Sequence, residues 1–177
     1  DPRYYLRSDE IKELMEQYDV ILPEHFYWRK HDVKSGYYAG AGVSPDLDTI
    51  GNIIHDLYPA YSQTYRDVLT RHEASYCNMF VMRKSDFDAY CKWLFDILFE
   101  AERRIDISDY TPAEKRIFGY MSEILLNVWV EKNKKRVYYK PMVVNAPFGR
   151  KKKLLRICEK MGFNRATKAV YCVDSKF

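Results

Sequence analysis

Thr111-Pro-Ala-Glu-Lys-Arg-Ile-Phe-Gly-Tyr-Met-Ser-Glu-Ile-Leu-Leu-Asn-Val-Trp-Val-Glu-Lys132 decides how the rest of the chain is read. Thr111, Pro112 and Glu114 are a cap, a first-turn proline and a capping-box acid in order, so they predict a helix N-terminus. Ile117, Tyr120, Met121, Ile124, Leu125 and Val128 then recur at helical spacing and predict a core stripe running to about Lys132. A second stripe lies well away from it: Arg116, Gly119, Glu123 and Asn127, at spacings of three, four and four. Glycine inside a helix costs about 1 kcal/mol against alanine. Gly119 therefore leaves a costly gap between a guanidinium and a carboxylate, one turn away on each side. The plain alternative is a solvated face that tolerates a glycine. The functional one is a face that a ligand or another backbone approaches.

Upstream, Ser85 and Asp88 form a second capping-box pattern. The long helix that follows, 85–104, carries Phe87, Tyr90, Cys91, Leu94, Phe95 and Leu98 as its expected apolar stripe. The unbroken apolar run Asn78–Met82 before it reads as a central, buried strand on which that helix packs. Nearer the start, Ser8 caps a helix to Tyr18 with Ile11, Leu14, Met15 and Tyr18 on one face, and Asp19–Pro23 reads as a short strand stopped by proline. Residues 24–43, with Gly36, Gly40 and Gly42 among aromatic and basic residues, read as a loop long enough to be functional. Ser44-Pro45 reads as the cap and first position of a helix with Leu47, Ile50, Ile53, Ile54 and Leu57 inside, and Pro59 starts a more polar helix to about Thr70. Downstream, Val137–Val144 reads as a strand, Pro147–Gly149 as a turn, Arg150–Met161 as a basic helix and Ala169–Val173 as a last strand.

The 177 residues fit one domain, 1–177, with 146–177 as a basic C-terminal extension. Hydrophobic residues make up 47% and the net charge is +4, a balance that excludes a disordered chain. The 16 tyrosines offer flat apolar faces with hydroxyls, which suit sugar rings as well as ordinary packing. Cys77, Cys91, Cys158 and Cys172 lack zinc-ligand spacing and read as reduced, buried thiols. No stretch approaches the ~20 apolar residues of a membrane span, and no signal peptide is evident.

Several segments taken together resemble a bacterial family long catalogued as a domain of unknown function. The family occurs in capsular and exopolysaccharide gene clusters, and its members are assigned as glycosyltransferases. The segments are Asn78-Met-Phe-Val-Met82, then Tyr90-Cys91 with Trp93-Leu94-Phe95, then Arg116 with Gly119-Tyr120 and Glu123. Tyr18-Asp-Val-Ile-Leu-Pro23, Tyr38 with Asp46-Leu47, and Pro59 with Tyr61 also match, so the similarity spans about residues 3–145. Each piece alone is weak; their order and spacing are fairly specific. The family's histidine in the Tyr38…Asp46-Leu47 segment is absent, and Gly42 stands about there. The segments of the family's N-terminal half are also absent.

The resemblance implies a helix-rich α/β chain, part of a GT-A-like nucleotide-sugar transferase domain with a small sheet and long packed helices. It implies the C-terminal portion of a cytoplasmic enzyme, working at the inner face of the membrane, that moves sugar from a nucleotide sugar to a growing capsular or exopolysaccharide. The chain by itself is then expected to be inactive and to bind nucleotide sugars weakly, because the donor half is elsewhere. Glu123 is the expected catalytic base. Arg116, Gly119, Asn78, Tyr38 and Tyr120 are the expected substrate-binding residues. No metal ligand is assigned. Asp46-Leu47-Asp48 is formally a D-x-D that would suit Mg²⁺ or Mn²⁺, but acids in a first helical turn are also favoured by the helix dipole.

His25, His31, His55 and His72 are scattered and read as surface or packing residues, with His72 placed to approach a site. Lys132–Arg136 and the basic face of 150–161 are expected to form one patch that could touch a membrane. Nucleic acid is excluded as a partner for want of any binding signature. The competing expectation is a non-catalytic module that binds an anionic polymer through this patch, or a helical domain that assembles with a partner protein.

Overall fold

The computed structural model describes residues 5–40 and 42–141. At its centre is α6 (Ile117–Lys132), on which α4 (Ser62–Leu69) and α5 (Lys84–Arg104) pack. Because it is covered from several sides, α6 buries more than the predicted stripe: Leu126, Trp129 and Val130 join Ile117, Met121, Ile124, Leu125 and Val128, while Tyr120 is only half-buried. Full burial of such side chains is worth about 1.5–3 kcal/mol each. The Thr111–Glu114 box does form, with the Thr111 N–H donating to the Glu114 carboxylate at 2.7 Å. It opens a single 3-10 turn, Glu114–Arg116, that leads into the helix.

The expected stripe of α5 is rotated. Tyr90, Trp93, Leu94, Ile97 and Ala101 are buried, whereas Phe87 and Phe95 are exposed. Trp93 decides the face, lying 4.9 Å from the Tyr61 ring. Ser85 caps nothing; the helix starts one residue earlier, and Lys84 pairs with Asp88 at 2.7 Å.

The small sheet has β1 (Val20–Pro23) buried in its middle. On one side β5 (Val137–Lys140) runs parallel to β1, and on the other β4 (Val81–Met82) runs antiparallel to it. The Asn78–Met82 run is therefore not a central buried strand. Only its last two residues pair, they form an edge, and Met79 is 44% exposed. Cys77 and Asn78 adopt positive φ (75° and 48°), which turns the chain away from the sheet just before β4. The strand expected to Val144 is seen to Lys140; residues from 142 onward, with the predicted turn, basic helix and last strand, lie outside the described residues.

Asp19 fastens the sheet. Its carboxylate accepts the Arg136 N–H at 2.9 Å, the Arg136 guanidinium at 2.9 and 3.1 Å, and Arg83 at 3.1 Å. These donors hold the carboxyl well below the usual carboxylate range. Lys135 pairs with Asp86 at 2.7 Å. Part of the expected basic patch is thus spent on internal pairs.

Residues 24–43 are not a loop. Phe26–Tyr27 (β2) pairs with Glu73–Ala74 (β3), and Val33–Gly40 forms α2. Asp32 and Ser35 cap α2 reciprocally, with the Ser35 N–H donating to Asp32 at 2.7 Å and the Asp32 N–H to Ser35 Oγ at 3.0 Å. Val33, Gly36 and Tyr37 give α2 its buried face, so two of the glycines that suggest a loop lie in a helix. In α3 (Asp46–Leu57) the expected interior is buried except Leu57, and Ser44 makes no cap bond. α1 (Ser8–Gln17) lays Ile11, Leu14 and Met15 half-buried against the rest. No helix among the described residues is long and apolar enough to cross a membrane.

Candidate functional site

The polar stripe of α6 carries a piece of backbone. Asn127 donates to the Ser75 carbonyl at 2.8 Å and accepts the Ser75 N–H at 2.9 Å. Ser75 Oγ in turn donates to the Pro23 carbonyl of β1 at 2.7 Å. Three residues on, the Asn78 side chain donates to Ser122 Oγ at 2.8 Å and to the Gly119 carbonyl at 3.3 Å. Between these two fastenings, the Cys77 N–H reaches the Glu123 carboxylate. The left-handed turn at 77–78 is what aims it there.

Beside this turn lies a cleft of about 430 Å³. One wall is α2, which presents Val33, Gly36, Tyr37 and Gly40. Trp28 and Tyr76 form a second wall, and α6 contributes Tyr120, Glu123 and Ile124. Trp28 is held in an edge-to-face array, 4.8 Å from Phe26 and 6.5 Å from Tyr76. α2 passes within van der Waals reach of Trp28 at Gly36, where a Cβ would stand 3.5 Å from the ring.

Among the described residues, Glu123 is the one carboxylate lining this cleft. Burial pushes its carboxyl up from the usual value, while the Cys77 N–H and the Arg116 guanidinium pull it part of the way back. Burial, with the Glu123 charge added, also pushes the Tyr76 hydroxyl up. Arg116 stands exposed at the mouth, its guanidinium 5.3 Å over the Tyr120 ring. A half-buried carboxylate among aromatic rings can accept hydroxyl protons or hydrogen bonds from a ligand.

The structure brings Glu123 and Tyr120 into the cleft and Arg116 to its edge. Gly119 is exposed nearby, with no heavy atom within 4 Å of where a Cβ would be. Asn78 holds the turn to α6. Tyr38 lies off the cleft face of α2, its ring 5.3 Å from that of Tyr37 and packed on the core. Trp28, Tyr37 and Tyr76 belong to none of the sequence motifs. Their only signal is the density of aromatic residues in and after 24–43.

The D-x-D carboxylates part company. Asp46 is 1% exposed and accepts the Tyr110 hydroxyl at 2.8 Å, the Val43 N–H at 3.0 Å and the Tyr37 hydroxyl at 3.1 Å. Burial and this bond push the Tyr110 hydroxyl up to about 12. Asp48 pairs with Lys34 at 2.7 Å. His72 lies 3.2 Å from the Trp28 carbonyl and His25 3.5 Å from Glu73. Among the described residues no three metal-ligating side chains cluster.

Residues 2–134 match the profile of a family described as a domain of unknown function (DUF4422). No curated protein matches the chain. Among solved structures the fold is similar to that of the apo form of WbbM, a bifunctional glycosyltransferase, with a TM-score of 0.60 and 24% identity over 80% of the chain. The chain spans 27% of the length of that protein.

Proposed function

The chain belongs to the DUF4422 family, and on that premise we propose that it supplies the acceptor side of a glycosyltransferase. Its fold is α/β and helix-rich, consistent with part of a GT-A-like domain. The proposed reaction moves a sugar from a nucleotide sugar to a growing capsular or exopolysaccharide. The observation that carries this is Glu123, half-buried on the wall of an aromatic cleft and, among the described residues, answered by one backbone N–H and an exposed guanidinium.

In the proposed step an acceptor hydroxyl lies against Glu123. Its oxygen attacks the anomeric carbon of the donor as its proton passes to the carboxylate. The bond from that carbon to the diphosphate oxygen breaks, and the electron pair leaves with the diphosphate. This is the course of an inverting transfer. Arg116 would keep Glu123 ionised and steer the acceptor at the mouth. Because the base must be ionised, the rate should rise with pH through the raised Glu123 value.

Two observations weigh against the anionic-polymer alternative. Lys135 and Arg136 are already paired with Asp86 and Asp19, and the cleft walls are aromatic, not basic. Full-length protein incubated with a panel of nucleotide sugars and saccharide acceptors tests the proposal. Release of nucleoside diphosphate that depends on the acceptor is expected. Its absence with every pair would overturn the assignment.

A further inference from the structure

The cleft has a charge pattern that says which half of a glycosyl transfer it can serve. We propose that it is a subsite for an uncharged pyranose ring and that it excludes the nucleotide diphosphate of a donor. The second half of this statement rests on the glycosyltransferase assignment above; the first half does not.

Trp28, Tyr37, Tyr76 and Tyr120 give the cleft aromatic walls, and among the described residues no lysine, arginine or histidine lines it. The C–H faces of a pyranose pack on such rings, and its hydroxyls need acceptors at the edge. Glu123 supplies two carboxylate oxygens, only partly engaged by the Cys77 N–H. A ring with adjacent hydroxyls can satisfy both oxygens, which relieves the cost of holding that charge out of water. A diphosphate in the same place would set two like charges together where the dielectric is low, so repulsion would be strong.

The volume agrees. About 430 Å³ lies at the lower end of the range of about 300–1,000 Å³ for ligand sites. That is room enough for a pyranose ring. The site is also built in advance. Edge-to-face contacts fix Trp28, and the Ser75–Asn127 and Asn78–Ser122 bonds fix the turn that meets Glu123. Little ordering remains to be done on binding.

The test uses the 177-residue chain, with the Trp28 indole signal followed by NMR. The probes are the methyl pyranosides of glucose, galactose, mannose and N-acetylglucosamine, and separately uridine diphosphate. At least one glycoside should shift the Trp28 signal at millimolar concentration, and uridine diphosphate should not displace it. Glu123→Ala should weaken that binding at least tenfold with the thermal midpoint retained. If that variant unfolds, Tyr120→Ala replaces it, with the same expected loss.

Displacement by uridine diphosphate, silence of the Trp28 signal with all four glycosides, or unchanged binding in the variants would each overturn the proposal. Should full-length protein transfer sugar while the cleft ignores glycosides, this inference fails and the glycosyltransferase assignment stands. Should the cleft bind glycosides while full-length protein transfers nothing, the pyranose subsite stands and the glycosyltransferase assignment fails.

Discussion

Asp46 and Glu123 are two carboxylates drawn out of water within the same aromatic neighbourhood, with Tyr37 touching one and lining the cleft of the other. Asp46 is almost fully buried, yet three donors converge on it: a backbone N–H and two tyrosine hydroxyls. It ties α2, the start of α3 and the segment before α6 to one point. Glu123 is only half-buried, and among the described residues a single backbone N–H and an exposed guanidinium answer it. A buried anion with all its donors is a fastening. An anion left short of donors, facing a cavity, is free to bind something else. Asp46, the buried member of the pair that resembles a metal motif, belongs to the first kind, and the carboxylate on the glycine-bearing stripe belongs to the second.

The sharpest way to break this contrast is Asp46→Ala. It orphans Tyr37, Tyr110 and the Val43 N–H together, and losing one partner of buried groups costs about 1–3 kcal/mol apiece. We expect about 3–5 kcal/mol of destabilisation by chemical denaturation; a loss below about 1 kcal/mol would mean that Asp46 fastens nothing. Gly42→Ala comes next. Its Cβ would stand 1.9 Å from the Tyr37 ring, so the ring must leave its place over Asp46. Overpacking of this kind typically costs about 1–3 kcal/mol. An unchanged unfolding midpoint would show that Tyr37 moves freely. Gly119→Ala should do the reverse. Nothing lies within 4 Å of its Cβ, so alanine should stabilise the helix by up to about 1 kcal/mol. If it also weakens glycoside binding, the open space beside Glu123 is used by ligand.

The smallest effect is in pH. Glu123 keeps its proton to higher pH in the folded chain than in the unfolded one. Its contribution to stability therefore falls as pH rises through a window opening near 4.5, the ordinary glutamate value. Glu123→Gln should gain on the parent protein across that window in thermal melts and then hold its lead. Asp19 runs the other way. Its stabilisation is present above its ordinary 3.8 and is lost as the solution is acidified below it.

What can be read from the sequence is what neighbours in sequence determine. The Thr111–Glu114 box, β1 with its closing proline and the interior of α3 depend on residues within a few positions of each other, and each appears in the structure. The face of α5 does not, because Trp93 is chosen by Tyr61 from another helix. Nor does the edge position of β4, since a run of apolar residues does not reveal that Asn78 is committed to α6. α2 is hidden by Gly36 and Gly40, two glycines that suggest a loop but lie in the helix and line the cleft. The stripe from Arg116 to Asn127 is legible as a place where a ligand or a backbone could approach. The backbone is residues 75–78. The cleft beside it draws on residues 28, 33–40, 76 and 113–124, a grouping that only the fold creates.

The central claim is that Glu123 serves chemistry and not the fold. The direct measurement is the turnover and the unfolding midpoint of Glu123→Gln made in the full-length protein. The amide is isosteric, so stability at neutral pH should equal or slightly exceed that of the parent, while turnover should fall about a hundredfold or more, as loss of a general base predicts. A folded variant with unchanged turnover would contradict the account, and so would one that loses turnover only because it unfolds.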